Sequence, residues 1–186
     1  MPSNTNILLI RHGEKPQAGT GLSPAGQARA QAYVAYFQNY AIGGTTLKID
    51  YVFAAADSAE SHRPRHTVEP LAGALGLAIN DKHADKDYAQ VAQHLSTHPR
   101  YDGSNVLVCW HHGEVLNLAA ALGASGSTLP PASGWPAKWP GEVFGWVLQL
   151  CYGADGTLDP SRTVCLSQQL MYGDCGQPPP GAASAA

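Results

Sequence analysis

Arg11-His12-Gly13-Glu14 follows directly on the apolar-rich run Asn6 to Ile10. A second such run, Asn105 to Trp110, ends in the pair His111-His112 followed by Gly113. Between them, Ser61-His62-Arg63-Pro64-Arg65-His66-Thr67 supplies further cations. Phosphoryl transfer needs an in-line nucleophile, cations around the equatorial oxygens and a proton for the leaving group. His12 can be the nucleophile, because neutral imidazole attacks well and is available near neutral pH. Arg11 and Arg63 can be the cations, since guanidinium is planar, permanently charged and matched to phosphate oxygens. A histidine from the Trp110-to-Gly113 turn would flank the phosphate and bond its oxygens. The chemistry these residue types point to is transfer through a phosphohistidine.

Such groups must be delivered by something rigid. Asn6 to Ile10, Tyr51 to Ala55 and Val106 to Trp110 read as buried strands, being short apolar runs without polar alternation. Ser23-Pro24 supplies an N-cap and a first-turn proline for an alanine-rich helix over Ala25 to Phe37. Helical patterns follow over Thr67 to Leu75, closed by Gly76, over Asp85 to Leu95, and over Val115 to Leu122, closed by Gly123. Ile79 reads as an isolated strand residue within a loop. Val143 to Tyr152 reads as a fourth strand, with Arg162 to Gln168 as its antiparallel partner. This order predicts a three-layer α/β sandwich: a mostly parallel central sheet, helices on both faces and an antiparallel edge. Ligands of such sheets collect beyond the carboxyl ends of the strands, where both histidine motifs fall.

The chain has 186 residues, enough for one domain with a substantial core, placed here over 1–176. The Pro- and Ala-rich stretch 177–186 is expected to be a disordered tail. Formal net charge is -3, and the eleven basic residues form no run or stripe, so no nucleic-acid partner is expected. No segment reaches the roughly 18 apolar residues of a membrane span, and the apolar stretch Ile7 to Ile10 lacks a signal-peptide leader. Four cysteines show neither CxxC spacing nor a compact disulfide framework, and Cys109 reads as a buried, inert thiol. A cytoplasmic location is the expectation that fits. No His-Glu-x-x-His, cysteine cluster or acidic loop suggests a metal site, so no metal and no cofactor are expected.

Taken together, these motifs resemble the histidine phosphatase superfamily, the phosphoglycerate mutase-like family. Arg11-His12-Gly13 matches its first signature, at the end of the first strand. Leu22-Ser23-Pro24-Ala25-Gly26 matches its leucine-serine-x-x-glycine element, and Ser61-His62-Arg63, with Thr67 four residues past the arginine, its third. The strand Val106 to Gly113 that ends in histidine matches the last. The resemblance spans roughly residues 6–120. It implies that His12 is the phosphorylated nucleophile, and that Arg11, Arg63 and one of the paired histidines bind phosphate. Family members often carry a carboxylic acid between the second helix and the strand leading to the second histidine. Asp81, Asp85 and Asp87 lie in that segment, without a sharp signature.

Which histidine of the pair serves is open on spacing. Counting from Val106 favours His111, whereas His112-Gly113 reproduces the family's histidine-glycine dipeptide. Neighbouring strand residues face opposite ways, so one histidine faces the phosphate and the other packs or caps; His112 is the preferred site residue and His111 a secondary substrate ligand. Arg65 is either a third phosphate ligand or an exposed arginine at a helix start. Trp135 and Trp139 either line a pocket or anchor the long Pro- and Gly-rich loop around them. Substrate specificity would sit in Lys15 to Gly21, Asn80 to Lys86 and Ser125 to Glu142. The expected activity is metal-independent hydrolysis of a small phosphomonoester through phosphohistidine. The alternatives are mutase-like phosphotransfer, disfavoured by the lack of a mutase-type insertion, and a non-catalytic phosphate-binding or scaffold protein.

Overall fold

The computed structural model describes residues 2–171 and Asp174. Strand β1 (Asn6–Arg11) leads into helix α1 (Pro24–Gln38), then a small hairpin of β2 (Ala41–Ile42) and β3 (Thr45–Thr46). Strand β4 (Tyr51–Ala54), helix α2 (Arg63–Leu75) and strand β5 (Ile79–Asn80) come next. Helix α3 (Tyr88–Thr97), strand β6 (Asn105–Trp110) and helix α4 (Val115–Ala121) complete the alternating part. Strands β7 (Trp146–Cys151) and β8 (Val164–Ser167) close the order.

Six strands form one sheet in the order β5-β4-β6-β1-β7-β8. The pairs β5-β4, β4-β6 and β6-β1 are parallel, while β1-β7 and β7-β8 are antiparallel. Strand β1 thus lies inside the sheet, and its apolar run is explained by burial on both faces. Ile7 and Leu9 pack with Val91 and Leu95 of α3 and Leu118 of α4. Leu8 and Ile10 pack on the other face with Tyr33 and Phe37 of α1 and Val68 and Leu71 of α2. Two helices per face over a mixed sheet make the three-layer sandwich that the sequence predicts.

Local chemistry sets the element ends. The Ser23 hydroxyl accepts from the Gly26 amide at 3.1 Å, and Pro24 opens α1, as expected of an N-cap followed by proline. Helix α2 starts four residues earlier than the sequence pattern suggests, so Arg63 is its first residue. Pro64 reads as a breaker, yet in a first turn its missing N–H costs nothing and its fixed φ suits a helix. Ile79 is not isolated, for β5 pairs in parallel with β4. Strand β7 begins at Trp146 rather than Val143, because the carbonyl of Val143 is drawn away toward Arg11. The hairpin β2-β3, which sequence pattern does not foretell, turns on Gly43 and Gly44, both at positive φ.

The proposed tail 177–186 lies outside the described residues. No helix among the described residues is long and apolar enough to cross a membrane.

Candidate active site

Parallel pairing of β1 with β6 sets Arg11 opposite Trp110 and so brings both histidine motifs to one end of the sheet. The His12 amide donates to the Trp110 carbonyl at 3.0 Å, extending that pairing by one residue. The His12 and His111 rings then meet edge-on, with centroids 5.0 Å apart and planes at 69°. His12 is 3% exposed. Its Nδ1 lies 2.7 Å from the Gly13 carbonyl. A carbonyl only accepts, so Nδ1 carries the proton and the lone pair belongs to Nε2.

Burial pulls His12 down to about 3, overriding the opposing bond to Gly13, while His111, Arg11 and Arg63 push in the same direction. Burial likewise pulls His111 down to about 4, with Arg63, His112 and Arg11 adding to it. Both imidazoles are therefore neutral at pH 7. Arg11, 2% exposed, is drawn down to about 10 by burial, with Glu14 and Glu142 opposing and Arg63 and Arg29 adding to the shift, and stays charged. Burial also lowers Arg63. The Nε atoms of Arg11 and Arg63 are both buried without a hydrogen-bond partner. Two guanidiniums beside a neutral imidazole, each with an unused donor, form a site that lacks its acceptors. A phosphate group supplies oxygens of that kind.

The ring against His12 belongs to His111; His112 is exposed. The His112-Gly113 dipeptide favours His112 and alternation says only that the two rings face opposite ways, but the strand ends at Trp110. The chain turns at once into α4, with the amides of Glu114 and Val115 bonded to the His111 carbonyl at 3.1 and 2.9 Å. Past that point the two-residue period no longer decides which side chain faces inward. Arg65 is held outside: its Nη2 donates to Asp57 at 2.7 Å and its Nη1 to Glu69 at 2.9 Å. Arg11, His12, Arg63 and His111 come together; His112 stands exposed at their margin, and Arg65 is held by Asp57 and Glu69.

What holds His12 is a crossing of two backbones. A Cβ on Gly26 would sit 2.4 Å from the Glu14 carbonyl oxygen, and one on Gly13 would sit 3.0 Å from the Gly26 oxygen. Only glycine allows such an approach. Thr67 of α2 locks the crossing from the side, its hydroxyl accepting from the Gly13 amide at 2.8 Å and donating to the Arg63 carbonyl at 2.7 Å. One hydroxyl thus ties the loop after His12 to the helix that carries Arg63.

Under the crossing, Arg29 of α1 is 1% exposed and pairs with two carboxylates, Glu14 at 2.6 Å and Asp174 at 2.5 Å. Burial opposes its charge, but the bonds from Asp174 and Glu14 outweigh that and hold the guanidinium above its usual value. Burial likewise works to raise Asp174, yet Arg29 and the Met171 and Leu170 amides hold it below the usual carboxylate range. Sequence pattern assigns no role to Glu14 or to Arg29. The only signal was a charged residue on the helix face that must pack inward.

Among the candidate acids, Asp85 stands apart. Its Oδ1 is buried without a partner, and burial, with Glu114 adding and Lys86 opposing, raises its carboxyl to about 6. Its carbonyl accepts from Trp110 Nε1 at 3.0 Å, which ties the segment to the end of β6 beside His111. The Asp87 carboxylate is turned to the Ala84 amide at 3.3 Å and the Gln90 side chain at 3.3 Å. Cys109 is fully buried and its thiol is pushed well above its usual value by burial. Trp139 is an anchor, with its Nε1 bonded to the Val143 carbonyl at 2.8 Å and its ring packed on Trp146. Trp135 packs, half-buried, against the core. Among the described residues, no three His, Cys, Asp or Glu side chains are grouped to hold a metal ion.

The chain has the fold of the histidine phosphatases. It is similar to the structure of the protein histidine phosphatase SixA complexed with tungstate: the TM-score is 0.58, identity is 16%, and the match covers 88% of this chain and 97% of that one. A candidate phosphohistidine phosphatase SixA from Nakamurella multipartitia matches with a TM-score of 0.50 at 16% identity, over 91% of this chain and 96% of that one. No protein-family model matches the chain, and no curated protein matches it in sequence.

Proposed function

We propose that the chain hydrolyses phosphomonoesters without a metal ion, through a phosphohistidine formed on His12. The observation that carries this reading is a neutral imidazole with its proton on Nδ1, set between two arginines whose buried Nε donors have no partner. In the first step Nε2 of His12 attacks phosphorus in line and the bond to the leaving oxygen breaks. Arg11, Arg63 and His111 bind the equatorial oxygens, whose charge is spread in the transition state. Asp85, protonated at its raised value of about 6, gives its proton to the leaving oxygen. In the second step water attacks the phosphohistidine, the resulting carboxylate takes the water's proton, and phosphate leaves with His12 restored. Tungstate, the oxyanion named for the SixA structure, has the size and charge this site would accept.

Hydrolysis is preferred to mutase-like transfer because the compact chain carries no insertion to retain a phosphorylated intermediate. A scaffold role would give no reason for a nucleophile held neutral. The ligand class that follows is a small phosphorylated molecule. The test is turnover of p-nitrophenyl phosphate in EDTA, together with capture of an acid-labile phosphoenzyme. His12→Ala should lose at least about a thousandfold in turnover and form no phosphoenzyme while staying folded. Retention of more than about a tenth of the activity would remove His12 as the nucleophile.

A further inference from the structure

Arg11 offers the phosphate only one edge of its guanidinium, and the loop before β7 decides which. Its Nη1 donates to the carbonyls of Pro140, Gly141 and Val143 at 3.3, 2.7 and 2.7 Å. The ring of Phe144 covers one face, its centroid 3.8 Å from the guanidinium carbon. A planar group held at one corner and covered on one face cannot turn about its stem. The edge formed by Nε and Nη2 is left with a fixed direction, and that edge carries the buried Nε without a partner.

The carbonyls are themselves fixed. Trp139 Nε1 donates to the Val143 oxygen at 2.8 Å, and the Val143 amide donates to the Pro140 oxygen at 3.2 Å. The Trp139 indole, 2% exposed, rests on Trp146 of β7 with ring centroids 5.4 Å apart. Phe144 also borders the nucleophile, its ring centroid 6.3 Å from that of His12. One aromatic side chain therefore touches the anion ligand and lines the nucleophile, and neither role requires it to contact phosphate.

The geometry points to residues 139–144 as the element that aims Arg11, with Phe144 as a positioning residue for the transfer step; this rests on the reading of Arg11 as a phosphate ligand. An arginine aimed in advance matters most where charge spreads over a trigonal bipyramid, and less for a tetrahedral ground state that a mobile guanidinium can follow. The loss on freeing Arg11 should therefore fall on transition-state binding. Three backbone carbonyls and a ring face also replace the water that a buried guanidinium gives up.

Vanadate mimics the bipyramidal state and inorganic phosphate the tetrahedral one, so titrating both by calorimetry into the intact chain separates the two effects. Phe144→Leu should weaken vanadate about tenfold to a hundredfold and phosphate by less than about threefold. Phe144→Tyr, which keeps the flat face, should restore vanadate binding. In an Arg11→Lys background, Phe144→Leu should add nothing, since its effect passes through the planar group already removed. Equal weakening of both ligands, or additive losses in the double variant, overturns the inference. If Arg11→Lys leaves vanadate binding intact while Phe144→Leu weakens it, the phosphate-ligand reading fails instead; if the wild type does not bind vanadate, both fail. Thermal midpoints are read throughout. Should Phe144→Leu not fold, Trp139→Phe removes the bond to the Val143 carbonyl, together with some ring volume against Trp146, and must show the same selective loss, in smaller degree.

Discussion

Beneath His12, two stretches of backbone cross at contact distance and are locked by side chains: Thr67 on the Gly13 amide, and Arg29 between Glu14 and Asp174. Beside His12, Arg11 is held by main-chain carbonyls of a long loop and by one aromatic face. The first support depends on which side chains are present and tolerates no added atom. The second depends on where the backbone runs, and many side chains could present the same carbonyls. His12 thus has a support that is chemically specific, and its neighbour Arg11 has one that is geometrically specific. Substitutions should injure the two supports differently.

Second only to the loss of His12, the largest effect expected is at the end of β6, where the side chain and not the backbone would meet the phosphate. His111→Ala should lower turnover by about a hundredfold or more, having removed a donor to the transferring group. His112→Ala should change it by less than about threefold, since that ring is exposed. Measuring kcat and thermal midpoint for both variants settles the matter. An inactive, folded His112→Ala beside an active His111→Ala would reverse the assignment.

The next effect bears on the crossing directly. Gly26→Ala forces a methyl group to within 2.4 Å of the Glu14 carbonyl oxygen, and the obstacle is backbone that cannot step aside. A loss of about 3 kcal/mol is expected by denaturant titration. Gly141→Ala is the matching probe on the loop side. A Cβ there meets nothing within 4 Å, and the residue is not at positive φ. Its stability should move by no more than about 0.5 kcal/mol. Similar losses for the two variants would erase the distinction drawn between the supports.

The smallest effect is one of pH. The Asp85 carboxyl sits at about 6 in the folded chain, above the unfolded value of about 4. The folded state therefore binds more protons in that window, and Asp85 takes stability away as pH rises through it. Asp85→Asn should flatten the thermal midpoint between about pH 4 and 7 relative to wild type. Wild type is expected to lose kcat/KM as pH rises past about 6, and the same substitution should abolish that limb. An unchanged limb would take the proton-donor role from Asp85.

The sequence makes one of these supports far easier to see than the other. Strand β1, the Ser23-Pro24 start of α1 and the grouping of Arg11, His12 and Arg63 are legible because each rests on a local rule. A run without alternation must be buried, a hydroxyl before proline caps a helix, and paired cations at strand ends attract anions. The glycines at 13 and 26 are visible as motif positions, but that they touch each other is a tertiary fact. The pairing of Arg29 with Asp174 joins residues 145 apart and leaves no local trace. The hold on Arg11 is harder still, because every residue owns a carbonyl and no side-chain type marks the three that are used. The choice between His111 and His112 is hard to read for a related reason: alternation is a property of strands, and β6 ends at Trp110.

The position of β1 has a consequence for how the chain comes to fold. It precedes both of its neighbours in sequence, yet it lies inside the sheet, with Asn6 opposite Asn105 on one side and Cys151 on the other. While the chain grows, the segment bearing His12 has no strand beside it to pair with until β6 exists. Loops of that length close slowly compared with local helices, so α1 and α2 can form early and shelter one face of an otherwise sticky segment. The final balancing charge on Arg29 comes later again, from Asp174. His12 is thus made well before the strands and charges that surround it, and a chain stalled between the two carries that imidazole without its setting.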